Sequence, residues 1–381
     1  MPKAAWWCLL FLVSANPVRA QRPTPAADSV HRWVHLVEGK RLALVVNQTS
    51  RVGQRHLVDT LLGLGQKISR VFAPEHGFRG EADAGAHVTS GKDSATGLSI
   101  ISLYGKRKKP LREDLADVDL IVFDIQDVGA RFYTYISTLH YVLEAAAEQG
   151  KAVLVLDRPN PNGMFVEGPV LEPAYRSFVG IWPIPILHGC TVGELARMAA
   201  GERWIGHADS LTLTVIPAWN YTHDSSYILP VRPSPNLPNT QSIELYASLC
   251  LFEGTSLSVG RGTEYPFQIV GGRDRAYGSF QFTPVVKPGA AATVLGGQTC
   301  YGLDLRDTTL GYGFDLGPLM TLYARCQDKD HFFIPFFSKL AGTAELERQI
   351  RAGIREEEIR AGWEPALRAY RRTRARYVLY R

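Results

Sequence analysis

Five short, predominantly apolar runs, at residues 42–46, 68–72, 100–103, 120–123 and 153–156, dominate the first half of the chain. None is long enough to show helical periodicity, so each reads as a strand buried on both faces. Between them lie segments of helical period, at 57–64 closed by Gly65 and at 133–149 closed by Gly150. Strands alternating with helices predict an α/β fold around a parallel sheet covered on both sides. Four runs end in polar clusters: Asn47 to Thr49; Glu75 and His76 after Pro74; Asp124, Gln126 and Asp127; and Asp157, Arg158 and Asn160. In a parallel sheet these ends share one edge, and that edge is where open α/β sheets bind ligands.

At 381 residues the chain has room for two domains. The proline-rich segment 232–238 excludes helix and central strand and follows the expected boundary, which divides the chain into 28–228 and a smaller 229–381. Residues 1–20 read as a signal peptide: Lys3, an apolar core at 6–13, then Val18, Arg19 and Ala20 before Gln21. That core is too short for a permanent anchor, which predicts an exported protein, periplasmic or secreted, without stable membrane insertion. Residues 21–28 read as a loose lead-in. Thr191 and Glu194 form a capping box for a helix over 191–200. Farther on, 344–359 is amphipathic, 363–376 reads as a basic helix and 377–380 as a closing strand. The net charge of +5 is modest and has no basic stripe, which argues against a nucleic-acid partner. Cys190, Cys250, Cys300 and Cys326 are widely spaced, leaving disulfides or buried thiols equally open.

A dinucleotide fingerprint, a phosphate-binding loop, a serine nucleophile elbow and a paired-histidine zinc helix are all absent from the sequence. A cleft rich in carboxylates, amides, arginine and aromatics is equipment for glycoside hydrolysis, in which a carboxylic acid protonates the leaving oxygen. A metal-dependent reading through His76, Asp83 and His87 fits no standard ligand spacing, so neither metal nor cofactor is expected.

The longer motifs add a resemblance. Phe72 to Gly77 (FAPEHG), Asp124 to Tyr135 (DIQDVGARFYTY), Asp157 to Gly163 (DRPNPNG), Pro233 to Pro238 (PSPNLP), and Glu253 to Thr255 with Gly260 to Thr263 are similar to the NamZ-type exo-β-N-acetylmuramidases. Cys190, after His188 and Gly189, stands where that pattern has Met. The resemblance implies a Rossmann-like N-terminal domain, a smaller α+β C-terminal domain and an active-site cleft between them. It further implies release of N-acetylmuramic acid from non-reducing ends of peptidoglycan fragments, with Glu75 as catalytic acid. The partners are then peptidoglycan-derived muramyl saccharides. The alternative is a non-catalytic glycan-binding protein that keeps the pocket.

His76 is expected to assist Glu75 or bind sugar. Asp124, Asp127, Asp157, Glu253 and Glu264 all qualify as the partner carboxylate, and Asp127 is preferred. A lactyl carboxylate calls for a cation, and Arg131 or Arg261 could supply a two-pronged guanidinium; an ion pair from Arg131 to Asp127 is the competing role. Tyr133 could stack on a sugar. Asn47, Gln126, Arg158, Asn160, His188 and Asn236 complete the expected binding set with Asp157, Glu253 and Glu264.

Overall fold

The computed structural model describes residues 22–78, 90–287, 290, 293–309 and 313–381. The expected signal peptide, and Asp83 and His87 of the metal reading, lie outside them. The large sheet contains β1 (Arg41–Val46), β2 (Lys67–Ala73), β3 (Gly91–Lys92), β4 (Ser99–Ser102), β5 (Leu120–Asp124), β6 (Ala152–Leu156) and β7 (Thr212–Ile216). Their order is β3-β4-β2-β1-β5-β6-β7, and every pairing is parallel except β3 with β4. The chain thus reverses direction across the sheet between β1 and β5, as in doubly wound folds.

The apolar character of the central strands follows from two covered faces. Ala43, Val45, Phe72, Ile121, Phe123 and Val153 meet α2 (Tyr135–Glu148) and α3 (Val192–Gly201) on one side. Leu42, Leu44, Val71, Val122 and Leu154 meet α1 (Leu57–Gly63) and Trp33 on the other. Successive side chains point to opposite faces, so a strand sandwiched between helices has no position left for a polar residue. The Thr191–Glu194 capping box starts α3, with both reciprocal bonds formed. Such a cap contributes about 1 kcal/mol.

The smaller part carries a three-stranded antiparallel sheet, β8 (Ile269–Gly272), β9 (Phe280–Phe282) and β10 (Cys300–Asp304), in the order β8-β10-β9. Around it lie α4 (Thr240–Leu249), α5 (Gly317–Arg325), α6 (Phe336–Ala341), α7 (Glu345–Arg351) and α8 (Glu356–Arg374). The apolar core continues from the large sheet into Phe252, Phe332 and Phe337. Among the described residues, Cys190, Cys250, Cys300 and Cys326 are buried free thiols.

Three expectations need correction. Residues 22–28 are not loose: Thr24 and Trp219 exchange backbone hydrogen bonds at 2.8 Å, Ala26 N donates to Asp157 O at 2.9 Å, and Ala26 and Ala27 are fully buried. The amphipathic stretch 344–359 is two helices, separated by a turn in which Gly353 has φ +69°. Residues 377–380 form no strand. Tyr380 closes this end through its hydroxyl, which donates to Asp157 Oδ2 at 2.6 Å and accepts from Ala218 N at 2.8 Å.

Candidate active site

Beyond Ala73, Pro74 stops β2 and the backbone turns sharply. His76 and Gly77 have φ of +69° and +77°, and Gly77 N donates to Pro74 O at 3.0 Å. A non-glycine residue held in this region costs on the order of 1 kcal/mol, so the surrounding packing must enforce the turn. Its result is that Glu75, partly buried, lines a cavity of about 600 Å³.

One wall of the cavity comes from the edge of the large sheet: Glu75 after β2, Tyr104 after β4, and Thr134 just before α2. Tyr246 on α4, Glu253, Arg261, and Phe336 and Leu340 on α6 supply the facing wall. The cavity therefore lies in the cleft between the two parts of the chain. Thr134 Oγ1 donates to Glu75 Oε2 at 2.5 Å. Burial, then the neighbouring Glu75 carboxylate, pushes the Tyr104 phenol well above its usual range, so it stays a neutral hydroxyl. Glu253 and Arg261 are paired at 2.6 Å, and the guanidinium sits over Phe267 at 4.9 Å from the ring centre. A side chamber of about 50 Å³ opens beside Glu75, lined also by His76, Tyr133 and Arg261.

Family models for the exo-beta-N-acetylmuramidase NamZ match this chain twice, the N-terminal model over residues 42–241 and the C-terminal model over 244–380. The chain belongs to the NamZ family. Peptidoglycan beta-N-acetylmuramidase NamZ of Bacillus subtilis (strain 168) is 39% identical over 365 residues, covering 90% of this chain and 88% of that one. Two crystal structures of DUF1343 family proteins from Bacteroides fragilis NCTC 9343 share the fold. The first is 40% identical with a TM-score of 0.88, covering 95% of this chain and 99% of that one. The second is 28% identical with a TM-score of 0.80, covering 94% and 99%. Membership places the chain among glycosidases.

Against this NamZ frame the expected site residues fall into three groups. Glu75, Glu253 and Arg261 line the main cavity, while His76 and Tyr133 line its side chamber. Asn236 and Glu264 line a separate hollow of about 330 Å³. The remainder are buried below the rim and line none of these three spaces.

Within that buried group, the polar side chains make hydrogen bonds to the surrounding framework. Arg131 is fully buried and makes no ion pair with Asp127. Its two terminal nitrogens donate to the carbonyls of Pro169 (2.7 Å), Ile184 (2.9 Å), Leu340 (2.9 Å) and Ala341 (2.7 Å). Burial pulls this guanidinium down to about 9. Asp127 Oδ1 accepts from Gly129 N at 2.7 Å and lies 3.9 Å from His188 Nε2. Burial lifts Asp127 to about 7 and lowers His188 to about 3, so at neutral pH the imidazole is uncharged.

Arg158 grips Asp124 with two bonds, at 2.5 and 2.9 Å. Asp157 receives Thr191 Oγ1, Gly193 N, Arg158 N and Tyr380 OH, fixing the start of α3 to the end of β6. Asn47 Oδ1 accepts twice from Thr49, Gln126 Nε2 donates to the carbonyls of Asp127 and Pro159, and Asn160 Nδ2 donates to Cys190 O. Sequence reasoning missed Tyr104 and Lys108 as cavity residues and quoted Thr134 only as part of a motif. The available signal was position: Tyr104 follows β4 as Glu75 follows β2.

Proposed function

We propose that this chain is an exo-acting glycoside hydrolase that releases N-acetylmuramic acid from the non-reducing ends of peptidoglycan fragments, with Glu75 as general acid. The observation that carries the reading is Glu75 itself, oriented by the Thr134 hydroxyl on the wall of a cavity large enough for a sugar. Family membership and the B. subtilis relative support the substrate class. Glu253 is the other acid among the described cavity residues, and we assign it, in place of Asp127, as the partner carboxylate. Its ion pair with Arg261 at 2.6 Å holds it on the cavity wall, where it could steer water or stabilise positive charge at the anomeric carbon. Export is part of the reading and rests on residues 1–20; N-terminal sequencing of the exported protein should begin at Gln21.

Turnover of a chromogenic N-acetylmuramide tests the assignment. Wild-type protein should release the chromophore, and Glu75→Gln should lose about 10²–10⁴-fold in kcat, the usual worth of general acid catalysis. Turnover that survives unchanged in Glu75→Gln ends the assignment.

A further inference from the structure

The cavity contains a further cation, Lys108, from the basic segment that follows β4. After β4 the chain turns at Gly105, with φ +84°, and enters the lysine- and arginine-rich segment 106–109. The residues on either side of Lys108 are tied down: Arg107 pairs with Asp114, and Lys109 bridges Glu144 and Glu148 at 2.9 and 2.6 Å. Lys108 points elsewhere. It lines the cavity beside Glu75, with its ammonium over the Phe178 ring at 4.8 Å from the centre. Phe178 is itself braced by Tyr104 and Tyr141, with ring centres 5.8 and 6.4 Å away.

Among the described residues, Lys108 has no carboxylate in ion-pair contact, unlike Arg107, Lys109 and Arg261. Arg261 is matched to Glu253, and Arg131 is occupied by four carbonyls away from the cavity. Among the described residues, the charged side chains lining the cavity are Glu75, Glu253, Lys108 and Arg261. With Glu75 acting as a proton donor, these four carry one positive charge in excess. An anionic substituent on the sugar would neutralise it.

We propose that Lys108 is a specificity-determining residue that receives the lactyl carboxylate of the terminal N-acetylmuramic residue. This rests on the proposed reading of the cavity as a muramyl site. A flat aromatic platform limits where the ammonium can go, and fixed neighbours limit the loop, so less order is lost on binding. A sugar lacking the lactyl acid would leave this charge unmatched in a partly buried site, which disfavours it.

The test is calorimetric titration of N-acetylmuramic acid and of its lactyl methyl ester into the full protein, as wild type, Lys108→Met and Lys108→Arg. Thermal melting would confirm that each variant is folded. The expectation is that wild type binds the acid about tenfold more tightly than the ester, as for a charge-assisted contact. Lys108→Met should bind the two alike, and Lys108→Arg should recover the preference. A preference for the acid that persists undiminished in Lys108→Met overturns the proposal, as does a wild type indifferent to esterification. Wild-type protein that binds neither ligand removes the muramyl reading itself, and this inference with it.

Discussion

Thr134 Oγ1 donates to Glu75 Oε2 at 2.5 Å, joining the residue before α2 to the residue that leaves β2. This bond helps to fix the orientation of the carboxyl group. Thr134 is therefore a positioning residue for the proposed proton donor. Thr134→Val should lower kcat by about 10- to 100-fold with little change in KM, the scale expected of misplacing a catalytic group. Thr134→Ser keeps the hydroxyl and should restore most of the activity. Steady-state kinetics on the chromogenic muramide would separate the two parameters.

Glu253 should matter more to turnover than Asp127. Removing a cavity carboxylate that steadies positive charge at the anomeric carbon should cost at least about 100-fold in kcat. Asp127→Asn, below the rim, should stay within about threefold of wild type. A reversed order would return the partner role to Asp127.

Asp127 should instead register in stability. Burial raises its carboxyl from 3.8 to about 7, so the native state holds a proton that the unfolded chain releases near its ordinary value. Between those two values the native state binds more protons, and stability must fall as pH rises. Asp127→Asn removes the titration. Relative to wild type it should gain about 1–4 kcal/mol at pH 8 over its value at pH 5, given about 1.4 kcal/mol for each pH unit of difference. Urea denaturation at the two pH values would measure it, and a gain at pH 5 alone would contradict the sign.

Arg131 should be indispensable to the fold. Arg131→Met would leave four carbonyls without their donor, at a cost of more than about 3 kcal/mol. Arg131→Lys should rescue little, because an ammonium lacks the planar fork that reaches both pairs of carbonyls. Thermal melting of both variants would show this, and a melting temperature near that of wild type would refute it.

The large sheet was legible because its strands pack between helices and tolerate little but apolar side chains. The position of Glu75 was legible for the same topological reason, since a strand end must meet the rim. The assignment of buried polar residues was not. Arg131, Asp157 and Asn160 sit in motifs that read equally well as ligand contacts or as bracing. Their partners within the fold lie far away in sequence: Arg131 binds Leu340 and Ala341, and Asp157 receives Tyr380. Lys108 was obscured by its company, because a run of cations reads as a solvated turn until its neighbours are seen to be occupied. The segment 22–28 looked idle because proline and alanine carry no pattern, whereas small size is what lets Ala26 and Ala27 fit fully buried against the sheet.

Asp157 is a meeting point for distant stretches of polypeptide. Its carbonyl is taken by Ala26 and its carboxylate by Tyr380, which is 223 positions later. The junction stays open until Tyr380 has emerged from the ribosome, and deleting the segment that carries Ala26 or the one that carries Tyr380 should loosen the same spot.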